Sequence, residues 1–244
     1  RDEGVSVEEA AAMAINRIED PVDRELTQAR LDAARGDLDA ARERIEAVLD
    51  DHADHGPAIE LAFDLALQAE DLDAARRFAD RARALELDHA RGRFFAGRLA
   101  MAQGRYEQAA VSLQEGTRLR PVYSEGWALL GRAHLQAGEY ASAAEAFERA
   151  VDQKPDNLDA RARLGQAYHL LGEPARALAT FERAWRMSPG NARLFDLYAN
   201  YLAQRGELER VVELRREYAQ QRPDDAGNRR SLALALAGDG QTDA

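Results

Sequence analysis

Residues 124–191 restrict this chain more than any other stretch, because they carry one pattern twice. The segments 124–157 and 158–191 have equal length, and their landmarks stay in register 34 residues apart. The first carries Trp127, Leu130, Gly131, His134, Gly138, Ala143, Phe147, Ala150 and Pro155. The second carries Arg161, Leu164, Gly165, Tyr168, Gly172, Ala177, Phe181, Ala184 and Pro189 at the matching places. Apolar residues recur at helical spacing over 124–137 and again over about 140–154, which predicts two amphipathic helices per copy. Gly138 suits the left-handed turn that ends the first helix. Pro155 cannot continue the second, and it disfavours helical geometry at Lys154 before it. Gly131 and Ala143 are small, so the two helices can approach closely while Trp127 and Phe147 fill the adjoining space. A lone helix pair cannot bury its apolar face, whereas stacked copies can.

The spacing W-x-x-L-G-x-x-Y, then A-x-x-x-F, then Pro resembles the tetratricopeptide repeat (TPR). The resemblance implies an all-α fold, an α-α superhelix or TPR solenoid of about six helix pairs with an extra helix at both ends. Carried through the chain, the register places Gly36, Glu70, Gly104, Gly138, Gly172, Gly206 and Gly240 at one inter-helix turn, where only Glu70 breaks the pattern. The expected repeats are 22–55, 56–89, 90–123, 124–157, 158–191 and 192–225, the first two being weaker matches. Residues 1–21 hold a single helix over 5–20 and residues 226–244 another, each resembling half of a repeat. They read either as caps or as the ends of a segment cut from a longer array.

Charge narrows the partners. The formal net charge is −11, and residues 1–55 hold 16 acidic against 7 basic side chains. Residues 90–123 reverse this, with 6 arginines and 2 acids. A chain this acidic repels nucleic acid over most of its surface, so no nucleic-acid partner is expected. No run of apolar residues is long enough to span a membrane. No signal peptide is visible, although a start without Met is compatible with a processed piece. The absence of cysteine removes disulfide and thiol chemistry and fits cytoplasm or periplasm alike. Lys154 is the only lysine among 33 basic residues, which reads as the coding bias of a GC-rich bacterial genome.

Catalysis finds no foothold, and the expectation is a non-enzyme without cofactor. His52 and His55 stand beside Asp51 and Asp54 at a spacing that could hold a metal, but Gly56-Pro57 follows at once and no third ligand is apparent, so no metal site is expected. There is no phosphate-cradling loop and no nucleophile elbow, nor an insertion in any repeat to carry chemistry.

The resemblance directs attention to the concave face, where the second, fifth, ninth and twelfth positions of each first helix commonly meet ligand. These positions give Arg91, Phe94, Arg98, Met101, Arg132, Gln166, His169 and Asn200 as candidate partner-binding residues. Arg98 and Arg132, flanked by small alanines with Phe94 and Met101 nearby, would make an apolar floor with cationic rungs for a peptide bearing an acidic segment. A guanidinium can donate two hydrogen bonds to one carboxylate. The alternative is that these arginines are solvated or pair with Glu125 and Asp159. No repeat has the Lys and Asn of a chaperone carboxylate clamp, since Asn200 has Asp196 at its fifth position. The resulting expectation is a protein-protein interaction scaffold with a peptide or protein in its groove. The competing one is a structural segment of a bacterial envelope assembly, such as an exopolysaccharide export or secretion machine.

Overall fold

The structure is a computed structural model, described over residues 13–85 and 89–238, with side chains as far as residue 232. All of its described secondary structure is helical. The helices are α1 Pro21–Arg35, α2 Leu38–Asp51, α3 Gly56–Gln68, α4 Leu72–Ala84, α5 His89–Ala102, α6 Tyr106–Leu119 and α7 Ser124–Gln136. They continue as α8 Tyr140–Gln153, α9 Leu158–Leu171, α10 Pro174–Met187, α11 Ala192–Gln204, α12 Leu208–Gln221 and α13 Ala226–Gly238. Odd and even helices up to α12 are thus the first and second members of the 34-residue pairs. Of the helix expected over 5–20, residues 13–16 are helical and the earlier ones lie outside the described residues, as does Gly240.

Polar side chains start many of these helices. Asp37, Asp71, Asn157 and Asn191 each accept a hydrogen bond from the backbone N–H three residues on. Each satisfies one of the donors that a helix start leaves unpaired. His55 does the same through Nδ1, 3.2 Å from the Ala58 nitrogen, so this histidine begins α3.

The turn inside each pair repeats in geometry as well as in sequence. Gly36, Gly104, Gly138, Gly172 and Gly206 have φ between 71° and 89°, and Glu70 adopts φ 57° at the same place. Backbone geometry is therefore imposed by the packing of the pair and not by the residue at the turn. Glu70 bears the strain of a left-handed conformation as a result.

The helices of a pair meet at one close contact. A Cβ added to Gly131 would stand 2.8 Å from the Phe147 ring, and one on Gly165 would stand 3.0 Å from the Phe181 ring. In the third pair Gly97 faces Leu113. The second pair reverses the sizes, with Phe63 in the glycine register and Ala79 in that of the large residue. Phe63 is fully buried and stacks on Phe95 at 4.5 Å.

The chain divides into two compact units, residues 1–119 and 120–244. In the first, the core runs through Leu26, Ile45, Ile59, Phe63, Phe95 and Leu99. Asp32 is buried there and receives Arg44 Nε at 2.8 Å and Gln28 Nε2 at 2.8 Å. Burial alone would raise its pKa, but these hydrogen bonds and the Arg44 charge hold its carboxyl below the usual range. In the second unit the core is aromatic. Phe181 stacks on Tyr198 at 5.5 Å and Phe195 on Tyr218 at 4.3 Å. Arg161 is a buried exception, occupying the register of Trp127 and Phe195, with Nη2 2.6 Å from the Pro155 carbonyl oxygen. Its Nε has no partner among the described residues, and burial lowers its pKa.

Three outcomes follow for stability. Replacing Glu70 with Gly relieves the left-handed strain and should stabilise the first unit by about 1 kcal/mol in chemical denaturation. Gly131→Ala should destabilise by roughly 1–3 kcal/mol through overpacking, despite better helix propensity. Adding Phe147→Ile, which recreates the Ala29 and Ile45 pairing of the first repeat, should recover much of that loss in a double-mutant cycle. Burial pushes the Tyr198 phenol up to about 12. Its folded pKa exceeds the unfolded one, so its contribution is present below about pH 10 and is lost as pH rises towards 12. Alkaline unfolding of the Tyr198→Phe variant should show a shallower loss over that window.

Candidate peptide-binding surface

In the first unit the expected groove cations are already engaged. Arg98 Nη2 lies 2.6 Å from Asp64 Oδ1, an ion pair without the alignment of a hydrogen bond. Its guanidinium also sits 5.0 Å from the centre of the Phe63 ring. Arg91 Nη1 is 3.5 Å from Glu60 Oε2. Both acids lie on α3, so the first helix of one repeat neutralises the first helix of the next. For Arg98 the partner is thus Asp64, and not Glu125 or Asp159 as in the alternative reading. Met101 is half-buried. Phe94 corrects the expected apolar floor: it is only 6% exposed and packs against Gly116 of α6, where an added Cβ would come within 2.8 Å of its ring. That makes it a core residue of its repeat.

The second unit differs. Arg132 on α7, Gln166 on α9 and Asn200 on α11 hold the same ninth position of three successive first helices. Helix α9 packs against both α7 and α11. Arg132 and Asn200 are exposed and Gln166 is half-buried. None of the three has an ion pair or side-chain hydrogen bond among the described residues. Two neighbouring acids, in contrast, are taken. Asp159 is held by Arg163 at 3.0 Å and by Arg193 of α11 at 3.1 Å. Glu125 faces Lys154 at 3.4 Å. His169 is fixed as well: Nε2 is 2.7 Å from Gln204 Oε1, and the ring stands edge-on to Tyr201 at 5.1 Å. Arg98 and Arg132, expected to share one ligand, fall in different compact units.

Sequence reasoning missed Arg163, Arg193 and Gln204. Arg163 and Gln204 occupy the sixth and thirteenth positions, beside the ones the resemblance singles out, and Arg193 occupies a second position, one that it does single out. The opposite charge of the two arginines to Asp159 was the available signal. Behind this face, Arg176 lies 4.0 Å over the Tyr168 ring and 2.6 Å from Glu148, locking α8, α9 and α10 together. Tyr168 donates its hydroxyl to Glu148.

The chain matches family profiles of the tetratricopeptide repeat over residues 60–124 and 134–201, together more than half of its length. No curated protein matches it. Its fold is similar to that of a thermophilic TPR protein from Thermus thermophilus, with 21% identity and a TM-score of 0.65 over 75% of this chain and 99% of that one. It is also similar to PilF of Pseudomonas aeruginosa, with 18% identity and a TM-score of 0.65 over 87% of this chain and 97% of that one. A third likeness is to YrrB, described as a TPR protein with an unusual peptide-binding site, at 18% identity and a TM-score of 0.50 over 76% and 95% of the two chains. The repeat register, the paired helices and the family match agree: the chain belongs to the tetratricopeptide repeat family, with its all-α solenoid fold.

Proposed function

We propose that the second unit binds an extended peptide of a partner protein along the first-helix face of α7, α9 and α11. Proteins of this family are in general non-enzymatic scaffolds for protein-protein interaction, and the finer reading rests on one observation. Arg132, Gln166 and Asn200 recur at one register position and are unengaged among the described residues, while Asp159 and Glu125 beside them are held by other cations. Side-chain amides both donate and accept, which matches the alternating groups of a peptide backbone. Arg132 adds a planar donor fork for a carboxylate, giving the ligand an acidic residue at that end. Arg91 and Arg98 belong to the first unit, where Glu60 and Asp64 already engage them. Phe94 plays no part. His169 flanks the surface as a positioned edge that keeps Gln204 in place, whereas Met101 belongs to the first unit.

The test is selection of peptides from a random display library on the full chain, followed by calorimetry of the selected sequences. Gln166→Ala with Asn200→Ala should weaken binding about tenfold or more, as expected for losing two buried hydrogen bonds. Arg132→Glu should weaken acidic peptides and leave neutral ones less affected. Equal affinities for wild type and both variants would place the peptide elsewhere.

A further inference from the structure

A cleft recurs at one register in this fold, between successive second helices and floored by the first helix that separates them. Between α2 and α4, over α3, its volume is about 90 Å³. Between α10 and α12, over α11, it is about 260 Å³. Between α4 and α6, over α5, it opens to about 870 Å³, inside the range of roughly 300–1,000 Å³ usual for ligand clefts.

Side-chain size at equivalent positions explains the difference. The first cleft is narrowed by Ile45 and Phe78, and the last by Tyr198 and Leu214. The middle one has Ala79 where Ile45 stands, Ser112 in the register of Phe78 and Leu214, and Ala96 in that of Tyr198. Arg93 adds to this, because it replaces the buried Ile59 and Phe195 of the neighbouring registers with an exposed cation.

The cleft is also cationic. Arg76, Arg83, Arg93 and Arg105 line it against Asp80 and Glu115. Both acids are occupied: Asp80 binds Arg83 at 2.9 Å, and Glu115 takes two hydrogen bonds from Arg118 at 2.7 and 2.9 Å. Arg93 has no ion pair among the described residues, and Arg76 reaches only Asp73, at 4.0 Å and largely in water. At about 100° per residue, Arg93, Ala96 and Ala100 lie on the flank of α5 opposite to Arg91 and Arg98. The cleft is therefore separate from the first-helix face.

We propose that the cleft between α4 and α6 is a second binding site, for an acidic peptide segment of a partner protein. Planar guanidinium groups above a floor of small residues suit side-chain carboxylates, which they can grip in pairs. A short acidic segment feels this local field, whereas a long polyanion such as nucleic acid meets the repulsion of a chain with net charge −11.

The experiment measures fluorescence anisotropy of fluorescein-labelled hexaglutamate with the full chain at low salt. Arg76→Glu with Arg93→Glu should weaken binding by about tenfold or more, since reversing a charge at the contact adds repulsion to the lost pair. Ala96→Trp, which fills an exposed floor position and changes no charge, should weaken it comparably. Arg149→Glu with Arg229→Glu changes net charge equally on surface outside the cleft and should have a much smaller effect. Circular dichroism melts establish that each variant is folded. The proposal is overturned if hexaglutamate does not bind the wild type, or if Ala96→Trp binds it unchanged. It is equally overturned if the matched-charge variant loses as much affinity, or if an oligothymidylate of equal charge binds as tightly.

Discussion

The contact between the eighth residue of each first helix and the facing residue of its second helix governs this structure. At Gly131 and Gly165 an aromatic ring lies against the helix backbone, at Gly97 the Leu113 side chain does, and the two helices are held close. That separation sets the turn. Its residue takes a left-handed conformation whether it is one of five glycines or Glu70, because helices held so close can be joined within the allowed length in few ways. The facing residue also shapes what lies outside the pair. Ile45, the facing residue of the first pair, lines the narrow cleft beside it, whereas Ala79 at the same place in the second pair leaves the wide one open.

The second unit shows how neighbouring pairs are then joined. Phe181 reaches Tyr198 and Trp185 faces Phe195 at 6.3 Å, while Phe195 stacks on Tyr218 inside its own pair. Charged contacts reinforce these stacks at the rim: Arg210 bridges Glu182 at 2.6 Å, and Trp185 donates its indole N–H to Glu217 at 2.6 Å. Exposed ion pairs contribute little singly, so the aromatic area carries most of the joining energy and the charges fix its alignment. The first unit relies more on aliphatic packing and on the Asp32 and Arg44 pair, with Phe63 on Phe95 as its main aromatic stack.

Much of this fold could be read from the sequence because the repeat spaces landmarks that have single physical explanations. Gly138 and Pro155 mark ends, Gly131 and Phe147 mark a close approach, and the two helices of 124–157 fall within one residue of their expected bounds. The surface was harder. Phe94 sits at a position that can face ligand or core, and the small Gly116 opposite decides for the core. Arg98 and Asp64 share the ninth position one repeat apart with opposite charge, so their pairing was within reach of the register, but a view of each repeat alone could not supply it. The wide cleft depends on Ala79, Ala96 and Ser112 being small together on three helices, and no single-repeat pattern contains that coincidence.

The inner contact lies within a repeat, whereas the contacts of Phe181 with Tyr198 and of Trp185 with Phe195 run between repeats. Genetic duplication or exchange of one 34-residue block would leave each inner contact, such as Gly131 on Phe147, whole and yet break the aromatic contacts at its seams. A block displaced by one helix, from the start of a second helix to the end of the following first helix, would keep the stack intact and split the glycine contact instead. The arrangement therefore favours exchange of whole repeats only where the incoming neighbour already carries an aromatic of the right size, and it makes the order of repeats in this array as specific as their number.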